Sequence, residues 1–99
     1  MIARIWHGRT NKAKADEYLD FLKRRALPDY RSTPGNLAAY ILCRVEGDVT
    51  HFLTVTHWES LLAIEAFAGQ DIARAKYYAE DSEFLLEFEP DVQHHELYS

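Results

Sequence analysis

Histidine is the side chain whose charge changes near neutrality, so it can take a proton from a phenol or an activated carbon and return it. This chain of 99 residues carries five histidines. They fall on stretches that read as strands: His7, His51, His57 and the adjacent His94 and His95. His7 is the candidate proton acceptor. It follows Trp6 and shares a strand face with Ala3 and Ile5, so a face turned toward helices would let it reach a cavity there. The alternative is a histidine hydrogen-bonded within the sheet or at a seam between subunits. His51 and His57 share a face but stand roughly 20 Å apart along an extended strand. His94 and His95 point to opposite faces. A site from His7, His57 and His95 would need three strands to converge, with no carboxylate spacing to support it. No metal site is expected.

Aromatic rings are the second chemical resource. Two tryptophans, six tyrosines and five phenylalanines exceed what one thin core needs. Trp58, Phe67, Tyr77, Tyr78 and Phe84 would line a mostly apolar pocket between a sheet and a second helix, suited to a planar ring. Trp6, beside His7, joins Trp58, Phe67, Tyr77 and Tyr78 as a substrate-binding candidate. For Trp58 and Phe67 the competing reading is ordinary core. Tyr77 and Tyr78 fall in a loop, where adjacent tyrosines suggest a binding surface. Arg4 and Arg44 lie on strands that should be covered, so each needs an inter-subunit ion pair or an anionic ligand group. The single Cys43, between Leu42 and Arg44, reads as a small core residue and fits a reducing compartment. Glu80-Asp81-Ser82-Glu83, with Glu87 and Glu89, reads as a solvated acidic edge.

These groups are positioned by an α+β chain with the order βαββαβ. The first strand covers residues 2–9. Thr10 or Asn11 caps a helix through about Ala26, with Ala15, Tyr18, Leu19, Leu22 and Ala26 on one stripe. Leu27-Pro28 closes that helix, because proline disfavours helix in the residue before it. Asp29 to Asn36 is a loop, and strands at about 37–46 and 50–58 flank a Gly47-Asp48 turn. On the later strand Phe52, Thr54, Thr56 and Trp58 oppose His51, Leu53, Val55 and His57. Ser60 caps a helix with Leu61, Ile64, Phe67 and Ala68 at 3–4 spacing, broken by Gly69. Asp71 caps a short helical turn through about Lys76. Ser82 to Phe88 is a helical turn or an extended piece, and Asp91 to Tyr98 is the last strand.

This is the split pattern of a ferredoxin-like antiparallel sheet, helices on one face, in a single domain of residues 1–99. Ala39, Ile41, Cys43 and Val45 alternate with Ala38, Tyr40, Leu42 and Arg44, so both faces ask for cover. Helices supply one cover, and a second copy of the sheet supplies the other, which predicts a homodimer. The formal charge of −5 argues against nucleic acid. The one basic run, Lys23-Arg24-Arg25, complements a helix C-terminus. With no long apolar segment and no signal-peptide pattern, a soluble cytoplasmic protein without membrane contact is expected.

The opening Met-Ile-Ala-Arg-Ile-Trp-His-Gly-Arg, Pro34-Gly35, Trp58-Glu-Ser60-Leu-Leu-Ala63 and Phe88-Glu-Pro90 together resemble the antibiotic biosynthesis monooxygenase (ABM) family of the dimeric α/β-barrel superfamily. The resemblance spans essentially the whole chain. It implies an oxygenase without flavin, metal or heme cofactor, in which a phenolic ring substrate is deprotonated and its carbanion meets oxygen. Trp58 with Tyr77 or Tyr78 match the family's aromatic residues by type, and no asparagine lies near Trp58. The heme-degrading branch needs a histidine, a tryptophan and an asparagine at places that fall here at Tyr77, at Phe67 and near Trp6 or His7, which argues against that chemistry. A non-catalytic dimeric binding module and a proton-shifting isomerase or decarboxylase are the alternatives.

Overall fold

Alternation along the long strands gives the sheet two distinct faces, and the helices pack on one of them. In the computed structural model, which describes residues 1–99, β1 (Ile2–Asn11) turns Arg4, Trp6, Gly8 and Thr10 inward. β3 (Val49–Trp58) does the same with Phe52, Thr54, Thr56 and Trp58. β2 (Asn36–Glu46) pairs with β3, and β4 (Gln93–Glu96) pairs with the start of β1. All pairings are antiparallel in the order β2-β3-β1-β4, the ferredoxin-like arrangement read from the sequence. Gly47 takes a positive φ of 60° at the first position of the two-residue β2–β3 turn, as a II′ hairpin requires.

The helical segments run Ala15–Phe21 (α1), Leu27–Ser32 (α2) and Leu61–Ala68 (α3). No side chain caps the first of these, and β1 itself extends through Asn11. Ser60 does cap α3, its Oγ accepting from the Ala63 amide at 3.2 Å. Gly69 ends that helix at φ 89°.

Three expectations need correction. Proline does not close the first helix. A wide π turn, Leu22–Ala26, joins α1 to α2, with the Leu27 amide donating to the Leu22 carbonyl five residues back. The extra residue in that turn carries the helix past Pro28, which sits in the opening turn of α2, where its missing N–H costs little. As a result Tyr30 is buried rather than in a loop. The turn at Asp71 is a single one, the Arg74 amide donating to the Asp71 carbonyl, and it does not continue as a helix to Lys76. Ala75 donates to the Pro90 carbonyl and Val92 to that of Ala73, so this stretch is tied to the chain's C-terminal arm instead. That arm leaves the Ala79–Glu83 turn and runs along β1: Leu85 bridges to Thr10, and the Leu86 amide donates to the Arg9 carbonyl.

The core lies between the sheet and the helices. Tyr18, Phe21, Leu22, Ala26 and Tyr30 descend from the first helical run, and Ile64 and Phe67 from α3. The far face carries Ile5, His7, Leu53, Val55 and His57, flanked by Tyr40 and Leu42, which are 54% and 51% exposed. No helix covers it. No helix of the chain is long and apolar enough to cross a membrane.

Candidate functional site

The inward face of the sheet gathers hydroxyls rather than only hydrocarbon. Tyr30, delivered by the π turn, shares a 2.9 Å hydrogen bond with Thr54 on β3. Tyr18, one helical stripe earlier, donates to Asp81 Oδ1 at 2.9 Å. Asp81 sits in the 3₁₀ turn Ala79–Glu83, and its Oδ2 accepts from the Tyr78 amide at 2.7 Å. The carboxyl is 2% exposed. Burial raises its pKa, against the opposing pull of these two hydrogen bonds. Burial and Asp81 push the Tyr18 hydroxyl far above the usual phenol range.

Between these groups is an internal cavity of about 10 Å³, bounded also by Trp6, Lys76 and Tyr78. That is room for one water molecule. Trp6 Nε1 is buried without a hydrogen-bond partner. The Tyr77 hydroxyl lies beside it and is eased toward ionisation by the indole, although burial dominates and raises its pKa. At the mouth, Asp29 Oδ2 accepts from Tyr78 Oη at 2.5 Å and from Lys76 Nζ at 3.0 Å. Burial alone would raise the Asp29 pKa, but the bonds from Tyr78 and Lys76 outweigh it and hold the carboxyl below its ordinary range.

The residues singled out from the sequence separate into three groups. Trp6 and Tyr78 line the cavity, and Tyr77 packs edge-on against Trp6 with ring centres 6.2 Å apart. Trp58 and Phe67 lie in the adjoining core, 5.8 Å apart, away from the cavity wall. The Trp58 indole is fully buried and satisfied by Thr56 Oγ1 at 2.8 Å. Phe84 stacks on Phe21 and tilts against Tyr18. His7 stands on the opposite face of the sheet, so the condition for its reaching a helix-side cavity is not met. Its Nδ1 is 2.5 Å from Glu89 Oε2 and its Nε2 is 2.9 Å from His51 Nδ1.

Other expectations also shift. Arg4 is buried, yet its partners belong to its own chain: the carbonyls of Ile72 (2.5 Å) and Arg74 (3.0 Å), and His94 Nε2 (3.0 Å). Arg44 is exposed and meets Glu46 at 3.3 Å. Cys43 is exposed on the edge strand rather than buried. Sequence reasoning missed Asp81, Tyr18 and Tyr30. Only Tyr18 carried a signal, since a tyrosine on a buried helical stripe must find a partner for its hydroxyl.

No protein-family model and no curated protein matches this chain. Solved structures do. An antibiotic biosynthesis monooxygenase superposes with a TM-score of 0.66 at 15% identity over 100% of both chains. Its fold is that of the antibiotic biosynthesis monooxygenases. A monooxygenase from the gene ActVA-Orf6 of Streptomyces coelicolor, solved with nanaomycin D, matches this ABM fold at TM-score 0.63 and 17% identity, over 99% of this chain and 87% of that one. The heme-degrader MhuD of Mycobacterium tuberculosis, solved with two hemes in its active site, matches at 0.61 and 24%, over 98% and 95%. Such identities establish the ABM fold and no particular activity. The expectation against heme degradation draws no support from them.

Proposed function

We propose that this ABM-fold chain acts as a homodimer that binds a small planar phenol or quinol on the helix side of each sheet and oxidises it with molecular oxygen. The observation that carries this reading is the buried Asp81–Tyr18 pair, which borders one cavity together with Trp6 and Tyr78. A buried carboxylate with a raised pKa is a better proton acceptor than an exposed one. Asp81 takes the substrate proton in place of His7. Trp6 and Tyr78 border the ring and hold its plane. The substrate carbanion passes its electrons to oxygen, a carbon hydroperoxide forms, and loss of water leaves a carbonyl. One oxygen atom enters the product and the other leaves as water.

A cavity of about 10 Å³ does not hold a ring, so binding requires Lys76–Tyr78 to swing away from α2, breaking the Tyr78–Asp29 bond. Oxygen uptake with a panel of anthrones and quinols tests the proposal. Uptake by the wild type that falls about 100-fold or more in Asp81→Asn supports it. Absence of uptake with the whole panel sinks it. A heme titration alongside tests for the ligand that the heme-degrader MhuD binds.

A second reading is favoured by the close packing of Trp58, Phe67 and Tyr30: a non-catalytic dimeric module whose interior never opens. Such a protein would stay dimeric and bind none of the panel.

A further inference from the structure

On the open face of the sheet, β1, β3, the end of β2 and the C-terminal arm send four side chains into one line. Glu89 Oε2 lies 2.5 Å from His7 Nδ1. His7 Nε2 lies 2.9 Å from His51 Nδ1, and His51 Nε2 lies 2.9 Å from Glu46 Oε1. Register explains the meeting. His7 pairs with Leu53 and Arg9 with His51, so the two imidazoles are diagonal neighbours, with ring centres 5.2 Å apart. All four ring nitrogens are engaged. No nitrogen of the pair is free to act on a substrate.

Hydrogen-bond arithmetic fixes the charge of this line. Each of its three bonds needs one hydrogen, and ionised carboxylates at the two ends can only accept. The bonds close together when the two rings carry three protons between them, one more than two neutral imidazoles hold. A fourth proton sets N–H against N–H at the centre. Only two leave a nitrogen lone pair facing an oxygen or another nitrogen.

The surroundings make that single extra proton count. From β1, Arg9 meets Glu87 of the arm at 2.6 Å. From β2, Arg44 meets Glu46 at 3.3 Å, and Cys43 and Arg44 border the same open hollow of about 320 Å³ as the two histidines. Three carboxylates, Glu46, Glu87 and Glu89, therefore face two arginines and the histidine pair. With one extra proton the cluster is neutral. With none it is negative, and with two it is positive.

We propose that the His7–His51 pair is a one-proton switch controlling closure of this face on a second copy of the chain. The inference rests on the homodimer reading and adds its regulation. A two-fold seam buries this patch once in each subunit, so a net charge of either sign is desolvated twice over, while a neutral, fully bonded patch is buried at least cost. Exposed Tyr40 and Leu42 supply the apolar area around it. The bond from His51 also holds the Glu46 carboxyl below its ordinary range, which keeps that end of the line an acceptor.

Sedimentation equilibrium of the full chain between about pH 5 and pH 8.5 spans the range in which histidine changes charge. The dimer dissociation constant is expected to pass through a minimum and to rise about tenfold toward the alkaline end. The double substitution His7→Gln with His51→Gln, which leaves the patch no titrating ring, should flatten the profile to within about twofold. Glu89→Gln removes one negative charge, so its tightest association should move to higher pH. A wild-type dimer with a flat profile, or an unshifted minimum in Glu89→Gln, overturns the switch while leaving the homodimer standing. A monomer at every pH overturns both.

Discussion

The indole of Trp6 lies so close across Gly8 that a Cβ at residue 8 would stand 2.4 Å from Trp6 Cη2 and 3.0 Å from Leu85 Cδ2. The two residues share the inward face of β1, and the missing side chain of one makes the bed for the other. Gly8→Ala is therefore expected to push the indole off the cavity wall and destabilise the protein by about 1–3 kcal/mol. Chemical denaturation followed by tryptophan fluorescence measures both effects. Unchanged stability with an unchanged spectrum would show that the indole has another place to lie.

Tyr30 reaches Thr54 only because the π turn advances the helix by one residue. Tyr30→Phe leaves the buried Thr54 hydroxyl unpaired and should cost about 1–2 kcal/mol. Thr54→Val made on that background should cost less than it does alone. A double-mutant cycle in denaturant gives the coupling energy, and strict additivity would mean the 2.9 Å contact contributes nothing.

Arg4 neutralises no carboxylate. It donates to the carbonyls of Ile72 and Arg74 and so holds the irregular stretch after α3 against the sheet. Arg4→Met keeps much of the length and removes the donors, leaving two carbonyls short of partners at a cost of about 2–4 kcal/mol. Amide exchange should rise at Ala73–Ala75 well before it rises in β1 and β3. Uniform acceleration across the chain would instead mark a purely global loss.

Two titrating groups, buried Asp81 and half-buried His94, tilt the stability profile in opposite directions. The Asp81 carboxyl is shifted upward, so between the ordinary aspartate value near 3.9 and its folded value the native state holds more protons than the unfolded chain. Its contribution to stability therefore falls as pH rises through that window. His94 is shifted downward by burial first, then by Arg4 and His95. Its contribution is present above the ordinary histidine range and is lost as pH falls through its folded value. Asp81→Asn should make the protein relatively more stable at neutral pH than at acid pH, and His94→Asn should lessen the acid loss. Denaturation midpoints from about pH 4 to pH 8 decide this, and parallel profiles for wild type and both variants would refute it.

Local signals in the chain proved sufficient for the fold. Strand alternation, the Gly47-Asp48 turn, the Ser60 cap and the Gly69 stop each depend on residues within a turn or two of one another, and each is found where expected. The helix past Pro28 was not legible, because a π turn is chosen by what Tyr30 and Ala26 pack against. The site was less legible still. Alternation says that Trp6 and His7 face apart but not which of them meets the helices. Asp81 sits among acidic neighbours that are exposed, and only Tyr18, 63 residues earlier, distinguishes it.

Glu89 belongs to both sides of the molecule. Its side chain grips His7 outside, while its main-chain oxygen receives the Tyr77 hydroxyl, which packs on Trp6 inside. Cutting the polypeptide anywhere before this position would unfasten the exterior clasp and unsettle the inner wall in one stroke. A fusion partner spliced in beside Glu89 would disturb both at once, because this one residue serves two rooms of the same house.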